Sequence, residues 1–276
     1  MSATCAPSNT MLGKSTEYID TYSPALLTPI PRSLGRDVVG VHTFKGVDVW
    51  RLYEITWINA NGMPIVAAGE IHVPAMSPFI VESKSLKLYI GSLTQTVINS
   101  VEEAAALIQR DVSKCVGAEV GVHIEPLSVW VHPIEKVPGV LLEDVVTDLT
   151  CHTYEPDASL LALADGDEVV EETLSSNLLR SRCPVTGQPD HASLIVQYRG
   201  RKIDRRALLA YIVSYRRHQG FHEQCAEQIF TDIMKRLAPD SLSVFACFTR
   251  RGGIDISPFR STDLEVPAHI IRTPRQ

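Results

Sequence analysis

The spacing of apolar residues in this chain changes period several times. From 47 to 58, Val, Trp, Tyr, Ile and Thr cluster in a way that predicts a strand. Asn59-Ala60-Asn61-Gly62-Met63-Pro64 is a turn signal, and residues 65–73 read as the returning strand. From Leu86 the spacing turns helical. Val97, Ile98, Val101, Ala105, Ile108 and Val112 predict one face of a helix that Gly117 ends. Residues 118–131 read as a strand again. Ahead of all this, residues 1–40 predict an irregular arm, broken by Pro24, Pro29 and Pro31.

The second half follows the same plan. Leu194, Val196 and Tyr198 alternate through a strand at 192–199. Asp204 is placed to cap a helix carrying Leu208, Leu209, Ile212 and Val213 on one face. A second helix carries Ala226, Ile229, Phe230, Ile233, Met234 and Leu237, and Pro239 closes it. Residues 242–250 predict a strand, Gly252-Gly253 a turn, and 264–272 a last strand. Each half therefore reads strand, strand, helical region, strand, which is an antiparallel α+β plan. It differs from a doubly wound nucleotide fold, and neither G-x-G-x-x-G after a strand nor G-x-x-x-x-G-K-[ST] occurs. The expected organisation is an arm (1–40), a first module (41–150), an acidic linker (151–171, within an acidic stretch from 141) and a second module (172–276).

Bulk properties narrow the classes. With 276 residues, 45% hydrophobic and 21% charged, the chain can bury a full core. The net charge of −6 argues against a general polyanion binder, so no direct nucleic-acid partner is expected. The basic run Arg199–Arg206 reads as a solvated strand end and helix start. No apolar run approaches the roughly 20 residues that cross a bilayer, and Met1–Asp20 lacks the apolar stretch of a secretory leader. Six scattered cysteines, with no C-x-x-C, predict reduced thiols and a cytoplasmic protein without membrane partners.

Candidate chemistry centres on Arg182-Cys183-Pro184-Val185-Thr186-Gly187-Gln188-Pro189-Asp190, where a tight turn joins a thiol to a carboxylate. A lone cysteine is usually a small core hydrophobe. Here the neighbours are polar, and Arg180 and Arg182 favour the thiolate, which is the nucleophile. Cys5, Cys115, Cys151, Cys225 and Cys247 read as structural. Asp190 can shuttle a proton to and from a group under attack, or simply solvate the turn. His222 and Glu223 open a helix. Glu223 suits the helix dipole there, and a glutamate so held can also accept two N–H bonds from a guanine-like edge. Glu82-Ser83-Lys84-Ser85-Leu86-Lys87 combines hydroxyls, lysines and a helix start, the parts of an anion site, and Lys84 and Lys87 share a face. It reads equally as a solvated charge run. Arg250-Arg251-Gly252-Gly253 lets the backbone approach a ligand, or is a plain hairpin turn.

These pieces together resemble the NADPH-dependent 7-cyano-7-deazaguanine reductases, the nitrile reductases of queuosine biosynthesis, in their long two-module form. The resemblance covers nearly the whole chain. It implies two tandem tunnelling-fold modules, with antiparallel sheets and helices on one face, and a homodimer. Cys183 then matches the nucleophile that forms a thioimide with the nitrile, and Asp190 the proton donor, with His222 beside them as a further catalytic group. Val81, Glu82, Ser83, His222 and Glu223 match the substrate site. Ser83, Lys84, Arg251 and Gly252 match the site for NADPH, consumed twice per turnover, and no metal is implied. The lysine motif lies in the first half and the Cys–Asp and His–Glu pairs in the second. The site is therefore expected between the halves, completed by a second subunit if by anything further. Three rivals remain at this point. One is a zinc cyclohydrolase of the same fold using Cys183 with His191, His222 or Cys225. Another is a purine-like ligand binder without chemistry. The third is a thiol hydrolase that releases ammonia from a nitrile.

Overall fold

A computed structural model describes residues 18–276, so the expectations for Cys5 and for the extreme N-terminus lie outside the described residues. In chain order the elements are β1 (Pro29–Pro31), α1 (Ser33–Val39), β2 (Lys45–Ile58), β3 (Pro64–Pro74), β4 (Phe79–Val81), α2 (Ser83–Gly91), α3 (Val101–Val116) and β5 (Gly121–Pro126). There follow β6 (Val140–Leu141), α4 (Leu142–Val145), β7 (Val169–Arg182), β8 (Pro189–Arg201), α5 (Arg205–Ser214), α6 (His222–Leu237), β9 (Ser241–Phe248) and β10 (Ile254–Ser261). Eight strands make one sheet in the order β5-β3-β2-β10-β9-β8-β7-β6, antiparallel except for the β6–β7 pair. β1 and β4 form a separate two-stranded ribbon.

Local chemistry accounts for the boundaries. Asn59 Oδ1 accepts hydrogen bonds from the amides of Asn61 (2.9 Å) and Met63 (3.0 Å), which folds the β2–β3 turn. Ser100 caps α3 by accepting from the Glu103 amide, and Gly117 ends it in the left-handed conformation at φ 71°. Asp204 caps α5 through the Ala207 amide at 2.7 Å.

Side chains alternate across the sheet, and the helices cover one face. Trp50, Leu52, Ile71, Val73, Ile254 and Ile256 meet Leu86, Tyr89, Ile108 and Val112 in one core. Leu174, Leu194, Val196, Val244 and Phe248 meet Leu208, Ile212, Ile229 and Ile233 in the other. On the opposite face Val47, Val49, Ile195, Phe245 and Phe259 pack under Ile271 of the C-terminal segment. The α+β plan with antiparallel strands and helices on one face is therefore the observed one.

Several expected elements differ. The described part of the arm is not irregular: it holds β1 and α1, and Arg32 and Arg36 are buried by ion pairs with Asp48 and Glu227. The helix expected from Leu86 to Val112 is two helices. Val97 and Ile98 lie between them, where Ile98 N donates to Ile58 O at 3.0 Å. The strand expected at 118–131 is limited to β5. The acidic stretch is packed against the second half: Leu142 and, within 151–171, Leu161 are buried in the second core. β7 was hidden by its acidic start and Ser176-Asn177. The strand expected at 264–272 is absent, and the sheet's last strand is β10. Pro258 and the charged Asp255 and Arg260 disguised it, although every residue of it is buried.

Candidate active site

β10 is the seam that assembles the site. It pairs with β2 along its whole length, with Ile256 opposite Trp50, and with β9 at Phe259–Ser261. The first half's strands therefore continue directly into the second half's. The turn bearing Cys183 joins β7 to β8. It is closed by Cys183 N donating to Gln188 O and Gly187 N donating to Cys183 O, both at 2.9 Å. The segment before α6 is stitched to the end of β7, since Arg182 N donates to His218 O (2.8 Å) and Gly220 N to Arg182 O (3.2 Å). That stitching delivers Phe221-His222-Glu223 to the same place as the thiol.

These elements surround a cavity of about 140 Å³. Its apolar wall comes from Trp50, Ile80, Ile254, Ile256 and Phe221. Its polar lining comprises Ser83, Lys84 and Lys87 from α2, Cys183 and Asp190 from the turn and β8, His222 and Glu223 from α6, and Thr249 and Arg251 beyond β9. Val81 also lines it. Of the residues expected to form a site, Val81, Ser83, Lys84, Cys183, Asp190, His222, Glu223 and Arg251 thus share one cavity.

Glu82 and Gly252 stand apart from the lining. Glu82 is fully buried, and its two carboxylate oxygens accept from the amides of Lys84 and Ser85, both at 2.8 Å. It caps α2 and so supports Ser83 and Lys84, which do line the cavity. Burial raises its pKa against those two amide bonds. Gly252, at φ 60°, lies against Lys87, and a β-carbon there would meet Lys87 Cε at 3.3 Å. It shapes the rim and leaves the lining to Arg251.

Electrostatics separate the two carboxylates of the cavity. Burial, with Asp48 nearby, pushes Glu223 up to about 8 against the opposing charges of Arg32 and Arg260. Its Oε1 is buried and has no protein partner. Asp190 is as deeply buried, but the hydrogen bond and charge of His222 and the guanidinium of Arg251 outweigh burial and hold it below its ordinary value. His222 Nε2 stands 3.5 Å from Asp190 Oδ2, while Arg251 donates to Oδ1. Burial and the adjacent Arg251 lower Lys87.

Cys225 and Cys247 are buried, with thiols pushed up to about 12 by burial. Cys183 is half-buried at the cavity. Among the described residues no group of three His, Cys, Asp or Glu side chains converges as a metal ion would need. Also among them, no helix is long and apolar enough to cross a membrane. The sequence put Lys87 in the anion-site motif, but gave Phe221 and the wall residues no task of their own. Lys87 was legible as one turn beyond Lys84 on the same face, and Phe221 as the neighbour of the His–Glu pair. Trp50, Ile254 and Ile256 depended on the β2–β10 pairing.

An α+β protein in which both halves close an apolar, thiol-bearing cavity rimmed by cations is the class that this fold and site define. The chain is 48% identical to an NADPH-dependent 7-cyano-7-deazaguanine reductase of Dechloromonas aromatica, covering 91% of this chain and 89% of that one. Proteins of the same name from Burkholderia multivorans (46%) and Paraburkholderia phymatum (47%) match over 98% of this chain and 99% of theirs. The chain belongs to the NADPH-dependent 7-cyano-7-deazaguanine reductase family. Two family models agree: the N-terminal part of the nitrile reductase, 7-cyano-7-deazaguanine reductase, at residues 18–124, and a QueF-like protein at 189–266. Among solved structures, the apo form of the archaeosine synthase QueF-Like aligns over 35% of this chain and 95% of its own, at 18% identity and a TM-score of 0.30, too slight a likeness to bear on the fold.

Proposed function

We propose that this chain reduces the nitrile of 7-cyano-7-deazaguanine to the aminomethyl group, using two NADPH and a covalent thioimide on Cys183. The observation that carries this reading is the meeting of Cys183, Asp190, His222 and Glu223 with Ser83 and Lys84 around one apolar cavity. The relatives' shared name supports the substrate and cofactor.

The residues fit their proposed tasks. Glu223 offers a buried oxygen without a protein partner, matching the N–H donors of a 2-amino-pyrimidinone edge. Val81, Trp50 and Ile256 supply the flat apolar contact for the ring. Cys183 attacks the nitrile carbon: a C–S bond forms, one π bond of the nitrile opens, and Asp190 carries the proton to nitrogen. His222 holds Asp190 in place. Ser83, Lys84, Lys87 and Arg251 are a set of side chains suited to the phosphates of NADPH, which supplies hydride when bound. The apolar wall excludes water, which protects the imine formed midway from hydrolysis.

The resemblance of the halves supports the finer reading of two tandem tunnelling-fold modules. β2 and β7 are each 14 residues long and break register at corresponding places, Leu52/Ile55 and Ser176/Leu179. The Cys183 turn then occupies in the second module the place of the Asn59–Met63 turn in the first.

Intact-mass analysis after mixing with 7-cyano-7-deazaguanine, without NADPH, tests the proposal. The expected result is a one-to-one adduct on the peptide containing Cys183, lost in Cys183→Ala. A wild-type protein that consumes NADPH with this substrate yet forms no adduct removes the thioimide, and one that neither reacts nor binds removes the assignment.

A further inference from the structure

Asp190 is held from two sides by partners of unequal freedom. His222 lies on one oxygen with its side chain 14% exposed, stacked on the ring of Phe248 at 3.8 Å. Arg251 lies on the other with its side chain 32% exposed, at the start of the Gly252-Gly253 turn. The second arm of Arg251 donates to Gln188 Oε1, so one guanidinium spans the turn that carries Cys183. A carboxylate gripped in this way stays anionic, and it takes up the thiol's proton only as the grip loosens. Of the two partners, the solvent-facing arginine is the one able to leave.

A second observation concerns the other cation of the cavity. Lys87 runs beside Arg251 along Gly252, and the two cations oppose each other: Arg251 adds to burial in lowering Lys87. The other groups facing Asp190 are the thiol of Cys183, His191 next to it in sequence, and the buried Cys225 and Glu223 of α6. Lys87 and Arg251, two adjacent cations lining the same cavity, suit a further anion at its mouth.

Resting on the reading above, we propose that Arg251 is a displaceable clamp on Asp190. It keeps the carboxylate anionic in the empty site. It releases the carboxylate as the proton from the Cys183 thiol arrives, and its guanidinium then turns to an anionic phosphate at the mouth. The step balances without any redox partner. The S–H bond breaks, Asp190 takes the proton, sulfur bonds to the nitrile carbon, and Asp190 returns the proton to nitrogen. Arg251 is thus a positioning residue for proton transfer in a half-reaction that needs no cofactor.

The test measures the rate of thioimide formation by rapid quench and intact mass, from pH 3 to 9 and without NADPH, in wild type, Arg251→Ala, Arg251→Lys and Gln188→Ala. The rate's rise with pH through the Asp190 titration should move upward by about one pH unit in Arg251→Ala, as expected for loss of a neighbouring opposite charge. At the acid end of the range that variant should then keep a smaller share of its own plateau rate than wild type does. Arg251→Lys should restore most of the wild-type profile, and Gln188→Ala should shift it in the same direction by less. Profiles of Arg251→Ala and wild type that superimpose, with only the KM for NADPH raised, would show that Arg251 merely binds cofactor and overturn the clamp. Should Arg251→Ala fail to fold, an unshifted Gln188→Ala profile overturns it equally. Failure of wild type to form the adduct instead overturns the thioimide reading, and the clamp with it.

Discussion

The imidazole of His222 lies flat on the ring of Phe248, with centroids 3.8 Å apart and planes 6° from parallel. Phe248 ends β9 and is 1% exposed, so the stack fixes the ring of His222 while its Nε2 faces Asp190. Phe248→Leu keeps an apolar filler and removes the platform. Its stability should change by less than about 1.5 kcal/mol. Thioimide formation should slow by roughly ten- to a hundredfold, because the proton carrier loses its orientation. Thermal melts with single-turnover rates check both; an unchanged rate shows that the stack is only core packing.

Glu223 makes a pH prediction with a definite sign. Its carboxyl is raised to about 8, so it is largely protonated at neutral pH in the empty protein. Two N–H donors require the anion. Affinity for 7-cyano-7-deazaguanine should therefore climb by up to about tenfold per pH unit below 8 and level off above it. For the empty protein the sign reverses. A carboxyl raised on folding contributes stability below its unfolded pKa, near 4.5, and loses it as pH rises through about 8. Glu223→Gln should abolish the climb in affinity and melt higher than wild type at pH 9. Calorimetric titrations at pH 6 and 8.5, with melts at pH 9, decide the point.

Local signals in the chain are legible in sequence, whereas features that depend on distant partners are not. The turns, the caps at Asp204 and Gly117, and the Cys183–Asp190 and His222–Glu223 pairs were legible because their signals are local. β10 was not, because Asp255, Pro258 and Arg260 look unsuited to a buried strand until Asp48 and Glu227 are placed across from Arg260. α1 and the burial of Arg32 and Arg36 were missed for the same reason: charge reads as surface until its partner, far away in sequence, is known. The β2–β10 seam, which brings Trp50 to Ile256, is a non-local pairing that no period in the sequence reports.

Glu82 separates recognition from scaffolding. Its carboxylate is wholly engaged by the Lys84 and Ser85 amides, and its own amide donates to Thr28 O at 2.9 Å. Glu82→Ala should cost about 1–2 kcal/mol, as loss of a helix cap does. It should also raise the KM for NADPH, through displacement of Ser83 and Lys84. Glu82→Asn, which can still accept from the helix amides, should recover most of the stability and the KM. If Glu82→Asn instead restores the melt but leaves substrate affinity as low as in Glu82→Ala, direct ring contact by this carboxylate is favoured over the cap.

The strongest dependence of fold on charge lies one helical turn beyond Glu223. Glu227 Oε1 accepts from Arg260 Nη2 and from Arg36 Nη2, both at 2.8 Å, while Asp48 accepts from Arg260 Nη1 at 2.7 Å and from Arg32 Nη2 at 2.6 Å. The network ties α1, β2, α6 and β10 together beneath the cavity. Arg260 is fully buried, and its departure leaves two carboxylates short of a cation. Arg260→Met should therefore destabilise the protein by about 3–5 kcal/mol, the usual cost of breaking a buried pair from one side. Burial works against the Asp48 anion, but Arg260 and Arg32 hold its carboxyl below the ordinary value, so this stability is present above the unfolded pKa and is lost as pH falls through the lowered one. The deficit of Arg260→Met should accordingly be largest near neutral pH and shrink toward acid. Urea unfolding at pH 7 and pH 3 measures it, and a deficit that is equal at both assigns the loss to packing alone.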